Sequence, residues 1–266
     1  MKNYQHHNRD AWNKRVAAHL ESEFYDLESW KAGKTSLNDI ELKLLGDVNG
    51  KSILHLQCHF GQDTLSLARM GANVVGADLS NEAIAAAQKL NSELDLNADF
   101  VESDVLELNG KIDRQFDMVF TSYGTIGWLP DLDKWAKVIA HHLKPGGKLV
   151  FVEFHPVVWM FDDAFEKIEY RYFKDEPIIE TNADTYTEGA EIQEKTEISW
   201  NHGLAEVFRA LENNDIILRS FDEFDYSPYN CFAGMKKLTD RKYIIEKHGN
   251  KLPLVYSLTA TKRKQG

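Results

Sequence analysis

Between residues 51 and 152, short apolar runs alternate with runs of helical periodicity, and few architectures accommodate that rhythm. SILHL (52–56), NVVGA (73–77, ending at Asp78), ADFV (98–101), FDMVFT (116–121) and KLVFV (148–152) read as strands. They are almost continuously apolar, the pattern of strands buried on both faces of a parallel sheet. Helical stretches lie between them. Asp63 to Arg69 opens a short helix, and Ser80 stands as an N-cap before Ile84, Ala87 and Leu94. Asp131 caps a helix with Leu132, Trp135, Ala136, Ile139, Ala140 and Leu143 on one face, and Lys144-Pro145-Gly146-Gly147 stops it. Strands separated by helices give an α/β fold class.

The flanks follow other rules. Trp12, Val16 and Leu20 share a helical stripe, and Ser36-Leu37-Asn38-Asp39 reads as an acidic variant of the capping box. After Glu153, KIEYRYF (167–173) alternates like a half-exposed antiparallel strand, with EIQEKTEISW (191–200) as its expected partner. A helix carrying Leu204, Val207, Phe208 and Leu211 follows, and IILRSF (216–221) and LVYSLTA (254–260) read as the last strands.

Charge narrows the function classes. The net charge is −11, and residues 162–197 carry twelve acids against four bases. That balance disfavours a nucleic-acid backbone, which needs clustered Lys and Arg, and the acidic run reads either as a solvated outer face or as a potential that disfavours anionic partners in favour of neutral or cationic ones. No run approaches the roughly 18–20 apolar residues of a membrane span. The start, MKNYQHHNRDAWNKR, holds no apolar export region, so a cytoplasmic location is expected. Cys58 and Cys231 form no CxxC, and the adjacent pairs His6-His7 and His141-His142 diverge on any helix or strand, so no metal site is expected.

In an open parallel sheet, ligands bind beyond the carboxyl ends of the strands. Gln57-Cys58-His59-Phe60-Gly61 falls there and leads into a helix N-terminus that favours negative charge. Asp78, with Leu79 beside it, ends the second strand, where a carboxylate can accept both hydroxyls of a ribose. Asp104 follows the third strand and can take an adenine amino group while Val105 packs on the ring. In this order the features describe a site for an adenosine-containing ligand.

Asp78, Asp104, Phe116-Asp117 and Leu143-Lys144-Pro145-Gly146-Gly147 together resemble the class I S-adenosylmethionine-dependent methyltransferases, in particular the small-molecule type 11 and type 12 group. The likeness is close over residues 40–156 and looser over 199–260. Glu153-Phe154-His155-Pro156 and Trp200-Asn201-His202 are similar to segments of some members. The resemblance implies a Rossmann-like, doubly wound, mostly parallel seven-stranded sheet with an antiparallel C-terminal strand and an inserted antiparallel β segment. It implies S-adenosyl-L-methionine as cofactor and in-line methyl transfer to a small molecule. It divides the chain into an N-terminal helical lid (1–46, with Trp12 and Tyr25), a cofactor-binding core (47–156), an inserted β cap over the acceptor site (157–198) and a C-terminal helix with the final two strands (199–266).

The glycine loop departs from that family. Where members carry D-x-G-x-G-x-G, this chain has His55, Gln57 and His59, and only Gly61 is kept. Glycine there permits positive φ, so without it either the loop takes ordinary dihedrals of altered shape or Gln57 and His59 replace backbone contacts with side-chain ones. Asp63 is a substitute for the missing acid. The expected cofactor residues are therefore Gln57, His59, Gly61, Asp63, Asp78, Leu79, Asp104, Val105 and Ser122. Tyr123 and Trp128 are expected to line the acceptor pocket, and Tyr123, His155 and His202 are the catalytic candidates. Two rival readings stay open: an NAD-dependent oxidoreductase, and a non-catalytic module that binds S-adenosylmethionine.

Overall fold

The computed structural model describes residues 4–182 and 195–264. Three helices, α1 (Tyr4–Glu21), α2 (Leu27–Lys31) and α3 (Asp39–Leu45), precede the sheet. The alternating core runs β1 (Ser52–Leu56), α4 (Gln62–Arg69), β2 (Asn73–Asp78), α5 (Asn81–Glu93), β3 (Ala98–Glu102), β4 (Phe116–Ser122), α6 (Leu132–His142) and β5 (Leu143–Phe154). Then come β6 (Ile178–Asn182), β7 (Lys195–Ser199), α7 (Leu204–Asn213), β8 (Ile216–Phe224), β9 (Met235–Thr239), β10 (Lys242–Ile245) and β11 (Val255–Lys262).

The seven-stranded sheet has the order β3-β2-β1-β4-β5-β11-β8, with β11 antiparallel to both neighbours. Strand order reverses between β1 and β4, so their carboxyl ends open a crevice. Alternate residues of each strand face opposite layers. Leu54 and Leu56 pack with Trp135 and Ile139 of α6 and Val207 and Leu211 of α7. Ile53, Val74, Met118 and Val150 pack with Leu37, Leu45 of α3 and Leu67 of α4. Two covered faces explain why the strands read as unbroken apolar runs.

Two sequence motifs turn out to pin the bottom of the sheet. The Asp117 carboxylate accepts from the Ser52 amide at 2.9 Å, the Ser52 hydroxyl at 2.7 Å and Lys144 Nζ at 2.8 Å. It thereby joins the starts of β1, β4 and β5. Lys144-Pro145-Gly146-Gly147 is a bulge inside β5 rather than a turn before it, since the β4 pairing jumps from Phe116–Leu143 to Met118–Lys148.

Ser80 and Asp131 cap α5 and α6 through bonds from the Ala83 and Lys134 amides. The capping box of α3 lies two residues later than expected: Asn38 is the N-cap, and Glu41 accepts from its amide at 3.1 Å. Residues 167–173 do not form the expected strand; Ile168 makes a single bridge to Phe161. The hairpin is instead β6 with β7, in register from Ile178–Ser199 to Asn182–Lys195. Of the expected partner 191–200, residues 191–194 lie outside the described residues. The β9–β10 hairpin has no counterpart in the sequence reading. Among the described residues no helix is long and apolar enough to cross a membrane, and Cys58 and Cys231 are not bridged.

Candidate functional site

The loop after β1 takes up the shape its residue types disfavour. Gln57 has φ 54°, His59 51° and Gly61 77°, so all three lie in the left-handed region. Only Gly61 is free of steric cost there, and space also demands it: a Cβ would come within 2.7 Å of the Phe100 ring and 2.9 Å of Ala87. Left-handed backbone costs an L-residue roughly 1–2 kcal/mol, so Gln57 and His59 must be held. The Gln57 amide donates to the Thr125 carbonyl at 2.7 Å. The His59 ring sits among Trp12, His19, Tyr25 and Phe60, with Nε2 2.9 Å from Nδ1 of His19. Burial holds His59 down to about 3 and His19 to about 2, so both rings are neutral and share one proton across the contact. His55 stays below the loop, bonded to Thr64 Oγ1 at 2.8 Å and stacked on Phe120.

Asp78 stands at the end of β2 as expected. Its Oδ2 accepts from the His59 amide and its Oδ1 from the Ser80 amide, both at 2.8 Å. Each oxygen retains a lone pair, the residue keeps partial solvent access, and burial pushes the carboxyl above its usual range. Leu79 beside it is also partly exposed, and its carbonyl receives Arg9. Asp104 is engaged by α1. Its Oδ2 accepts from the Tyr4 hydroxyl at 2.7 Å and the Gln5 amide at 2.5 Å, while Oδ1 caps a short 3-10 turn through Leu106 N–H. Val105 is buried beneath.

Helix α1 therefore lies across the crevice. It buries Asn8, Arg15 and His19, a polar stripe, because what it covers is polar. Arg15 pairs with Glu197 of β7, and Asn8 bonds both the amide and the carbonyl of Ile198. Trp12 packs edge-on against Trp128 with ring centres 5.5 Å apart.

The loop after β4 forms the other wall. Tyr123 (φ 47°) and Gly124 (φ 71°) turn sharply, held by the buried Glu153 of β5. That carboxylate takes the amides of Gly124, Thr125 (2.7 Å), Ile126 (3.1 Å) and Phe154 (2.7 Å), plus the Thr125 hydroxyl (2.9 Å). Tyr123 in turn donates to Oε2 of the fully buried Glu41 at 2.8 Å. Asn38 Nδ2 bridges Glu41 Oε1 (3.1 Å) and the Tyr229 hydroxyl (2.8 Å). Asp63, in the first turn of α4, has Ser36, Ser122 and Arg241 nearby, and burial raises its carboxyl. Arg241 reaches the carbonyls of Thr35 and Leu37. Glu41, Tyr229 and Arg241 escaped the sequence reading: a capping-box glutamate is ordinarily a surface residue, and nothing local marks the other two.

The two histidine candidates stand at the edge of this wall, each already bonded within the protein. His155 Nε2 lies 2.9 Å from Glu223, and its Nδ1 accepts the Val157 amide at 3.2 Å. His202 Nε2 lies 2.9 Å from the Leu129 carbonyl and Nδ1 3.1 Å from Glu206. The Trp200-Asn201-His202 stretch clamps three loops, since Trp200 N–H bonds Gly127 and the Asn201 amide bonds Pro156 and Arg171.

The residues around the crevice suit S-adenosylmethionine. Gln57 Oε1 is a buried acceptor with no partner among the described residues, beside a loop whose backbone is shaped for close approach. Asp78 has acceptor capacity for two hydroxyls, and Asp63 offers negative charge for an ammonium group. Asp104 is the one position where a ligand must share or displace existing donors, those of Tyr4 and Gln5.

Residues 53–147 match a family model described as a methyltransferase domain. A demethylmenaquinone methyltransferase of Lactococcus lactis is 34% identical over 138 residues, half of this chain and 52% of that one. A ubiquinone biosynthesis O-methyltransferase of Klebsiella pneumoniae is 30% identical over 134 residues, 49% of this chain and 55% of that one. The chain thus spans about half the length of the curated relatives it matches. An S-adenosylmethionine-dependent methyltransferase of Clostridium acetobutylicum superposes with a TM-score of 0.58 at 15% identity, covering 96% of this chain and 98% of its own. The cyclase SpnF does so at 0.60 and 16%, covering 98% and 97%, a reminder that likeness at this level carries the fold and not the reaction. The domain match lies over the strands that build the crevice, so residues 53–147 are similar to methyltransferase domains, and the superposed structures share the fold.

Proposed function

We propose that the protein transfers the methyl group of S-adenosylmethionine to a small-molecule acceptor bound between the β4 loop and α1. The observation that carries this reading is the left-handed backbone at Gln57, His59 and Gly61. A chain accepts that cost at two bulky residues where the loop shape itself is used, as it is beneath a nucleoside. Asp78 would hold the ribose hydroxyls, and Gln57 Oε1 and Asp63 would meet the polar end of the methionine moiety. Asp104 would take the adenine once Tyr4 and Gln5 yield. The cofactor supplies an electrophilic methyl carbon; the chain supplies orientation and exclusion of water.

The names of the relatives, one of them an O-methyltransferase in ubiquinone biosynthesis, favour an acceptor that is a hydroxylated ring. The net charge of −11 favours a neutral or cationic one. Of the segment 157–198, residues 183–194 lie outside the described residues; the described part would border this acceptor, with Tyr172 Oη accepting from the Leu204 amide as one anchor.

Calorimetric titration with S-adenosylhomocysteine and, separately, with NAD tests the cofactor. Binding of the first alone is expected, with at least a tenfold loss in Asp78→Asn. Binding of NAD instead, or equal affinity in the variant, would refute the reading.

A further inference from the structure

Glu41 is an unusual end for a capping box. Its side chain is fully buried, so no ligand can reach it, yet its Oε2 receives a single protein donor, the hydroxyl of Tyr123. Tyr123 keeps part of its surface exposed and follows Ser122 at the carboxyl end of β4, on the wall of the crevice. By donating to Glu41, the tyrosine oxygen is left with acceptor capacity only. A capping role alone uses Oε1, which takes the Asn38 amide; it gives no reason for a tyrosine to be held in left-handed backbone against the other oxygen.

We propose that Tyr123 and Glu41 form a proton relay that removes the proton of a hydroxyl-bearing methyl acceptor. Tyr123 is the residue that touches the acceptor, and Glu41 is the buried terminus. The inference rests on the methyltransferase reading above. The acceptor oxygen forms its bond to the methyl carbon as the carbon–sulfur bond breaks and that electron pair returns to sulfur. Its proton passes to Tyr123 Oη while Tyr123 gives its own proton to Glu41. One carboxylate and one sulfonium become one carboxylic acid and one thioether, so charge and atoms balance. The proton leaves to solvent after product release.

The surroundings tune Glu41 for this task. Burial first, then the charge of Asp63 on α4, push it up to about 7, opposed by the Asn38 amide and the Tyr123 hydroxyl. Tyr226 and Tyr229, from the segment after β8, and Arg241, between β9 and β10, are the other titratable or charged groups facing this cluster. A base poised near neutrality is what efficient proton transfer requires.

The test uses the full chain, Glu41→Gln and Tyr123→Phe, with catechol as acceptor probe and labelled S-adenosylmethionine as donor. Glutamine keeps the Oε1 acceptor of the capping box, so it removes basicity and little else. The wild-type rate should rise with pH through about 7. Each variant should lose roughly 100-fold or more in kcat and lose the pH dependence, with S-adenosylhomocysteine affinity within about threefold of wild type. Infrared difference spectra should show a protonated carboxyl band titrating near neutrality, absent in Glu41→Gln and moved in Tyr123→Phe. Wild-type turnover in either variant, a band insensitive to both substitutions, or no catechol methylation by a wild type that binds S-adenosylhomocysteine would each overturn the relay. Failure of the wild type to bind S-adenosylhomocysteine is a separate result, which sinks the cofactor reading instead.

Discussion

Replacing Gln57 and His59 separately by glycine should have opposite consequences, and the difference follows from what each side chain touches. Both substitutions relieve left-handed strain of roughly 1–2 kcal/mol. At Gln57 this gain meets the loss of one bond to Thr125, about 1 kcal/mol, and a glycine entropy cost of about 0.5–1 kcal/mol. The unpaired Oε1 also disappears, which returns about 1 kcal/mol or more. Gln57→Gly should therefore leave stability unchanged or raise it by up to about 1.5 kcal/mol. At His59 the same relief is overwhelmed. A ring packed among four aromatic neighbours is removed, which costs roughly 3 kcal/mol on the scale of large core truncations. Nδ1 of His19 also loses the partner at 2.9 Å. His59→Gly should be destabilised by roughly 2–4 kcal/mol, lowering Tm by about 5–15 °C for a chain of this size. Differential scanning calorimetry measures both. Equal Tm values for the two variants would refute the claim that His59, and not Gln57, anchors the loop. Titration with S-adenosylhomocysteine adds the functional half: Gln57→Gly should bind more weakly despite its intact stability, because the orphan acceptor is gone.

Other perturbations have equally definite outcomes. His19, His55 and His59 are held neutral at about 2, 3 and 3, whereas the unfolded chain protonates them near 6.5, so their contribution is present above 6.5 and is lost as pH falls toward those values. Glu41, raised to about 7, acts in the opposite sense between about 4.5 and 7, so these four groups together take up about two protons on unfolding near pH 5.5, a contribution of roughly 2.7 kcal/mol per pH unit. Unfolding free energies from urea titration should fall between pH 6.5 and 4.5, and His55→Asn should reduce the slope by about one proton. Asp117→Asn should destabilise the chain by about 1–3 kcal/mol in urea titration without touching S-adenosylhomocysteine affinity, since it unfastens Ser52 and Lys144 at the end of the sheet remote from the crevice. A loss of affinity there would mean that the bottom of the sheet is coupled to the site.

The doubly covered sheet was readable because each strand buries both faces and each helix start carries its own cap. Ser80, Asp131 and Asp78 stand where local chemistry requires them. Failures have local causes too. Ser36 and Asn38 can each cap a helix with an acid three residues on, and only the burial of Glu41 against Tyr123 selects Asn38. The alternation of Ile168, Tyr170 and Tyr172 looked like a strand because its aromatic side chains do face inward in part, but toward separate partners. Tyr170 donates to Glu180, while Tyr172 lies over Gly203, where a Cβ would come within 2.6 Å of its ring. Arg241 sits at the tip of a two-residue hairpin with φ 51°, a position where glycine or asparagine is the recognisable signal. Its role is to bind the carbonyls of Thr35 and Leu37.

The deeper misreading concerns what a missing glycine means. Residue type at 57 and 59 suggested a loop of altered shape, yet the backbone keeps positive φ at both positions. Shape and composition are separable because tertiary contacts can supply the free energy that glycine would have made unnecessary. Those contacts come from afar: Thr125 for Gln57, and Trp12 and His19 of α1 for His59. The loop geometry is thus linked to the docking of α1, whose Tyr4 and Gln5 also occupy Asp104. In a glycine-built loop the cradle stands whether or not a lid is present. Here the helix that covers the crevice also braces the His59 turn, so displacing α1 should weaken the support of that loop. Displacement of α1 and loosening of residues 57–61 are therefore expected to occur together, with His59 as the joint; hydrogen exchange that rises in α1 and not in that loop would refute the link.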